Sequence, residues 1–266
     1  MASVTEVAES NRQLIGSMCL ICETFPGAEV VDMPGLIAAW CNTQSPFLNS
    51  IQLATPVADE QDLERRAASL AGYLKGKEKP PLFVACREWM PEALRERAEA
   101  AFARAGLKAV MTLTGMAADE LAAARGGDSD LEWRKVSDQE TRNQLADINA
   151  AAYGITGESM REALALPEIW TKKFDGYVGC LAGEAITAAA VMELHGALHV
   201  MCVATMPEHR RKGYAEAVVR RSLAAMSEVT GPARTTLHAT EAGKPGYLRM
   251  GYRETATFTG YMRSNS

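Results

Sequence analysis

The stretch "CVATMPEHRRKGYAEAVVRRSLAAM", Cys202 to Met226, decides how the fold is read, because three consecutive cations, Arg210, Arg211 and Lys212, run directly into a glycine and an amphipathic segment. Ala215, Val218, Val219, Leu223 and Ala224 recur at spacings of three and four, which predicts a helix beginning just after Gly213. A helix start presents unpaired backbone N–H groups and the positive end of the dipole, and a glycine lets several amides converge on one anion. Gly213 supplies that curl, Ala215 leaves room, and the cations add charge-assisted contacts, so the turn reads as a pyrophosphate cradle. A P-loop needs Gly-Lys-Ser/Thr, whereas Lys212 precedes its glycine and no hydroxyl follows; a dinucleotide fingerprint needs three spaced glycines. A solvated basic surface at a helix start is the plain alternative.

The chain around this turn has 266 residues, 47% hydrophobic and 23% charged, which suits two folded domains and excludes a disordered, collagenous or fibrous class. Acids at Glu6 and Glu9 precede the first apolar run, with no basic leader region and no membrane-length apolar stretch, so a cytoplasmic protein without membrane contact is expected. Cys19, Cys22, Cys41, Cys86, Cys180 and Cys202 lie mostly within apolar runs, as reduced buried thiols do. The pair Cys19 and Cys22 lacks a second motif to complete a zinc site, and no metal is expected. Net charge is −5 and unevenly placed: residues 1–130 hold 12 Lys and Arg against 18 acids, while 131–266 hold 16 against 15. An isolated basic patch on an acidic chain argues against nucleic acid as partner.

Hydrophobic periodicity gives the first half the order α-β-β-β-α-β-α-β, with its first three strands antiparallel. A Gly-rich polar segment near 117–130 reads as a linker, after which the same order repeats. The expected domains are therefore 1–125 and 130–266. At the position matching the basic turn, the first half carries Asp59, Glu60, Asp62 and Glu64 and no glycine, so it should hold no anion there.

The stretch "VATMPEHRRKGYAEAV" resembles motif A of the GNAT superfamily of acyl-CoA-dependent N-acetyltransferases, with Arg210, Gly213 and Ala215 on the family pattern Arg/Gln-x-x-Gly-x-Gly/Ala. The stretch "LHATEAGKPGYLRMGYRE" resembles motif B, Tyr247 standing four residues before Gly251 and Tyr252. The two motifs span about 60 residues, with Ala215 in place of the commoner second glycine. The resemblance implies an α+β fold of two tandem GNAT-like domains, each a mixed, mostly antiparallel twisted sheet flanked by helices. Residues 1–125 would be a degenerate copy and 130–266 the catalytic one, with acetyl-CoA as co-substrate. It implies that Val203 and Thr205 run alongside the pantetheine arm, that amides from Arg211, Lys212, Gly213, Tyr214, Ala215 and Glu216 hold the pyrophosphate, and that Thr240 binds the arm. Arg210 and Lys212 face either the phosphates or solvent.

Acetyl transfer to an amine needs a neutral nucleophile, a polarised thioester carbonyl and a proton for the departing thiolate. Tyr247 suits the last role, as the family uses its tyrosine there. His199 is the candidate base, with Glu193, His195, His238 and Glu241 as rivals. Tyr153, Trp170 and Tyr177 either shape an acceptor cleft or belong to the core. The acceptor is expected to be a primary amine of a small molecule or amino acid, acetylated by direct attack in a monomer or homodimer. The alternative is a non-catalytic acyl-CoA sensor, which would keep the cradle and need no proton-transfer pair.

Overall fold

The structure is a computed structural model that describes residues 2–124, 130–231 and 234–263. The elements, in chain order, are α1 (Val4–Cys22), β1 (Glu29–Met33), β2 (Leu36–Trp40), β3 (Asn49–Leu53), α2 (Glu60–Leu74), β4 (Leu82–Cys86), α3 (Arg95–Arg104) and β5 (Leu107–Ala118). They continue with β6 (Glu132–Lys135), α4 (Gln139–Tyr153), α5 (Gly157–Leu164), β7 (Phe174–Leu181), β8 (Glu184–Leu194) and β9 (Ala197–Thr205). The last are α6 (Tyr214–Thr230), β10 (Arg234–Thr240), α7 (Lys244–Arg249) and β11 (Arg253–Arg263).

The chain divides into two compact units, Met1–Gly115 with Glu254–Ser266, and Met116–Arg253. This partition departs from the 1–125 and 130–266 expectation at two places. Strand β5 runs on through Ala117 and Ala118, both buried, where the linker near 117–130 is expected. The final strand belongs to the first unit, where Phe258, Gly260 and Tyr261 pair with Cys86, Val84 and Phe83 of β4. Gly126 and Gly127, on which the linker reading rests, lie outside the described residues.

In the first unit the strand order is β1-β2-β3-β4-β11-β5. Its first three strands are antiparallel, as their spacing predicts. Strands β3 and β4 are parallel, in register from Ser50↔Leu82 to Gln52↔Val84, and α2 makes the crossover between them. Leu63, Ala67, Leu70 and Leu74 put one face of α2 on a core of Ile51, Leu53, Phe83 and Phe102.

In the second unit the order is β10-β9-β8-β7-β6, antiparallel from β9 outward, with β9 and β10 parallel. Helix α4 starts on a capping box, Asp138 accepting from the Thr141 amide at 2.8 Å while the Thr141 hydroxyl receives the Asp138 N–H. Val218, Val219 and Leu223 of α6 bury against Val191 of β8, Leu198 and Val200 of β9 and Leu237 of β10. Each such side chain contributes about 1.5–3 kcal/mol. The run Ile186–Met192 of β8 is buried throughout, as a strand covered on both faces must be. Both units are thus mixed α+β folds with mostly antiparallel sheets flanked by helices.

Candidate functional site

The parallel strands of the second unit separate. Their register runs from Arg234↔Ala197 to Leu237↔Val200 and stops, although β9 continues to Thr205 and β10 to Thr240. The first unit has no such opening, since β3 ends at Leu53, one residue beyond its last pair with β4. The divergence coincides with a bulge in β9: the register with β8 shifts between Ala188↔Ala204 and Ala190↔Met201, and Cys202 takes φ +53°. The Cys202 carbonyl accepts a bond from Asn149 of α4 at 3.1 Å, which fixes the bulge from the neighbouring helix. No sequence signal marks this bulge.

Beyond the bulge, the Ala204 carbonyl accepts the Thr187 hydroxyl at 3.0 Å and the Met206 amide donates to Ile186 at 2.8 Å. Peptide groups alternate along a strand, so those of Val203 and Thr205 point away from β8, to the open side. Both carbonyls there accept side chains: Val203 from the Tyr153 hydroxyl at 2.9 Å and Thr205 from Arg210 Nε at 3.3 Å.

Strand β9 leads through the expected turn into α6. Arg211 sits at φ +64° and Gly213 at φ +89°, and Gly213 is the N-cap, a residue with no side chain to accept from the first-turn amides. The N–H groups of Tyr214, Ala215 and Glu216 therefore face outward at a dipole's positive end. Helix α2 of the first unit differs: the Asp59 carboxylate accepts from the Asp62 amide at 2.8 Å, and Asp62 accepts from the Ala58 amide at 3.0 Å. The chain's own carboxylates occupy the position an anion would take.

The predicted site residues separate into those at this opening and those away from it. Arg210 ties the turn to α4, its second guanidinium nitrogen donating to the Ala152 carbonyl at 2.8 Å. Glu216 turns along its helix to Arg220 at 2.9 Å. Thr240, on the free end of β10, accepts the Gly243 amide at 3.3 Å and so starts α7. Tyr247 on α7 packs against the core of the second unit, edge to face with Tyr252 at 5.6 Å. Burial, with Tyr153 and Tyr252 as neighbours, holds its phenol well above the usual range.

His199 fits the role of base poorly. It is buried, its Nδ1 lies 2.9 Å from the Thr236 hydroxyl, and burial pushes its pKa down to about 4. Glu193, near the end of β8, and His195, in the β8–β9 turn, lie far from Thr205: Glu193 is six residues along β8 from Thr187, the partner of Thr205, or about 20 Å at ~3.3 Å per residue. Glu193 is paired there with Lys173 at 3.2 Å. His238 stands one residue beyond the last β9–β10 pair, its ring 5.3 Å from that of His199. Glu241 is exposed just past β10. Trp170 stacks on Phe174 at 4.8 Å and Tyr177 is buried under Arg221, so both belong to packing; Tyr153 alone of the three reaches the opening. Among the described residues, no group of His, Cys, Asp and Glu could hold a metal ion.

Residues 134–255 match the acetyltransferase (GNAT) domain family. That match covers most of the second unit, Met116–Arg253. Among curated proteins, none matches the chain by sequence. A GCN5-related N-acetyltransferase from Kribbella flavida is 17% identical, with a TM-score of 0.70 over 98% of this chain and 96% of that one. A putative acetyltransferase of the GNAT family from Novosphingobium aromaticivorans is 18% identical, with a TM-score of 0.55 over 89% and 92%. A tandem GNAT protein from the clavulanic acid biosynthesis pathway is 11% identical, with a TM-score of 0.50 over 82% and 76%. At these identities the structural likenesses establish the fold.

Proposed function

We propose that the second unit binds acetyl-CoA and catalyses acetyl transfer to a primary amine of a small molecule or amino acid. The observation that carries this reading is the open edge of β9 leading directly into the uncapped start of α6. A strand edge with outward peptide groups suits the amides of a pantetheine arm, and a bare helix start flanked by Arg211 and Lys212 suits a diphosphate. Bound there, acetyl-CoA supplies an activated acetyl thioester. Val203, Thr205 and Thr240 would line the arm, and the amides from Arg211 to Glu216 would hold the diphosphate. Arg210 supports the turn from behind rather than reaching a phosphate.

Tyr247 holds its proton at Oη throughout the neutral range, which supports reading it as the acid that would protonate a departing sulfur. Burial pushes the Cys202 thiol up to about 12, which leaves no thiolate at the bulge to act as nucleophile and favours direct attack by the amine. The first unit is read as a degenerate GNAT-like copy with one closed strand pair and a self-capped helix. The likeness to a tandem GNAT protein supports that reading. The protein is expected to work in the cytoplasm as a monomer or homodimer; among the described residues no helix is long and apolar enough to cross a membrane.

One observation favours the non-catalytic acyl-CoA sensor as a second reading: the histidine on β9 is buried and weakly basic. A panel of amines and amino acids, assayed for thiol release that depends on both acetyl-CoA and amine, separates the two. Amine-dependent release supports the enzyme; tight coenzyme binding with no release above background across the panel supports the sensor.

A further inference from the structure

The two side chains on the open edge of β9 are held very differently. Arg210 is tied at both ends of its guanidinium, to Thr205 and Ala152. Tyr153 makes one bond there, from its hydroxyl to the Val203 carbonyl at 2.9 Å, and is 47% exposed. It is the last residue of α4, followed by Gly154 at φ +66°, where the helix ends. A half-exposed ring on a terminal residue can swing into solvent without opening a cavity in the core.

We propose that Tyr153 is an exchangeable internal ligand of the coenzyme track: its hydroxyl satisfies the Val203 carbonyl in the free protein and gives it up to an amide N–H of the pantetheine arm on binding. The inference rests on the coenzyme reading above and adds a residue outside both sequence motifs. The exchange is donor for donor. A phenolic O–H leaves, an amide N–H arrives, and the carbonyl keeps a partner in both states. Arg210 stays in place meanwhile, so the turn that holds the diphosphate is not disturbed. Tyr153 thus competes in cis with the coenzyme, and only ligands that carry an amide on the arm recover what its release costs.

The test is titration calorimetry of wild type, Tyr153→Phe and Tyr153→Leu with two probes, coenzyme A and 3′-phospho-ADP, which has the phosphates and lacks the arm. Without the hydroxyl, coenzyme A should bind about threefold to tenfold more tightly, the equivalent of one net hydrogen bond, while 3′-phospho-ADP affinity stays unchanged. Two variants of different shape guard against an effect of the ring, and melting temperatures establish that both are folded. Unchanged or weaker coenzyme A binding by both variants overturns the exchange while leaving the coenzyme site standing. Equal tightening of both probes overturns it too, because the effect would then lie at the phosphates. A wild type that binds neither probe removes the coenzyme reading itself, and the exchange with it.

Discussion

Arg66 grips the Asp62 carboxylate at 2.7 Å, with the two side chains only 6% and 12% exposed. The same guanidinium donates to the carbonyls of Gly35, Thr55 and Pro56, while Asp62 closes the start of α2 through the Ala58 amide. The geometry at which the second unit stays open is, in the first, a finished structural joint.

Breaking that joint should destabilise the fold. Asp62→Ala leaves a buried guanidinium without its counter-charge, at a cost of about 3 kcal/mol in denaturant unfolding. Arg66 holds the Asp62 carboxyl below the usual carboxylate range, with the Ala58 amide assisting. A carboxyl depressed in the folded state contributes stability above its unfolded pKa and loses it as pH falls through the folded value. The gap between wild type and variant should therefore be full at pH 7 and shrink below about pH 4. A gap of equal size at pH 7 and at pH 2 would show that the pair carries none of it.

At the cradle, Gly213→Val tests backbone rather than bulk. A Cβ at Gly213 meets nothing within 4 Å, so the penalty comes from φ +89°, which a β-branched residue adopts only under strain. The turn should shift and the amides tilt away from the diphosphate, costing about 2–4 kcal/mol of coenzyme A affinity. Wild-type affinity in this variant would place the anion site elsewhere.

The basic turn and its helix were legible because an anion cradle needs residue types that are rare in combination: cations, a glycine and a helical apolar period within a few positions. The alternating strands and the acids at Asp59 and Asp62 were equally readable. What stayed hidden depends on contacts distant in sequence. Nothing local distinguishes Cys202 as a bulge, since Asn149 and the register with β8 impose it. Nor could the motif reveal that Arg210 serves Ala152 and Thr205, or that β11 joins the first unit, because both are decided by where other segments lie. Tyr153 was visible only as an aromatic near the site; its bond to Val203 spans fifty residues of chain.

Burial of His199 has a stability signature. Its pKa falls from 6.5 to about 4, so the unfolded chain binds a proton that the folded chain refuses. Stability should decline as pH drops from about 6.5 to 4, by about 3 kcal/mol at 1.36 kcal/mol per unit. His199→Gln, which keeps a partner for Thr236, should flatten that slope in unfolding measured across the range. An unaltered slope would mean that His199 is accessible and titrates normally in the folded protein.

Tyr247→Phe keeps the ring and its edge contact with Tyr252 while removing the hydroxyl. With an acceptor amine in hand, turnover should fall about 10²–10⁴-fold, the value of a positioned general acid, and coenzyme affinity should hardly change. Any cost of the substitution to folding can be read separately from the melting temperature. Wild-type turnover by the folded variant would assign the proton to water or to the substrate.

One chain holds an asymmetric pair: an open parallel pair beside an uncapped helix in the second unit, a closed pair beside a self-capped helix in the first. Titration calorimetry of the whole wild-type chain with coenzyme A measures it directly. One site per chain, retained in Asp62→Ala at temperatures where that variant is folded and lost in Gly213→Val, is the predicted result. Two sites per chain, or one that Gly213→Val leaves intact, would contradict it.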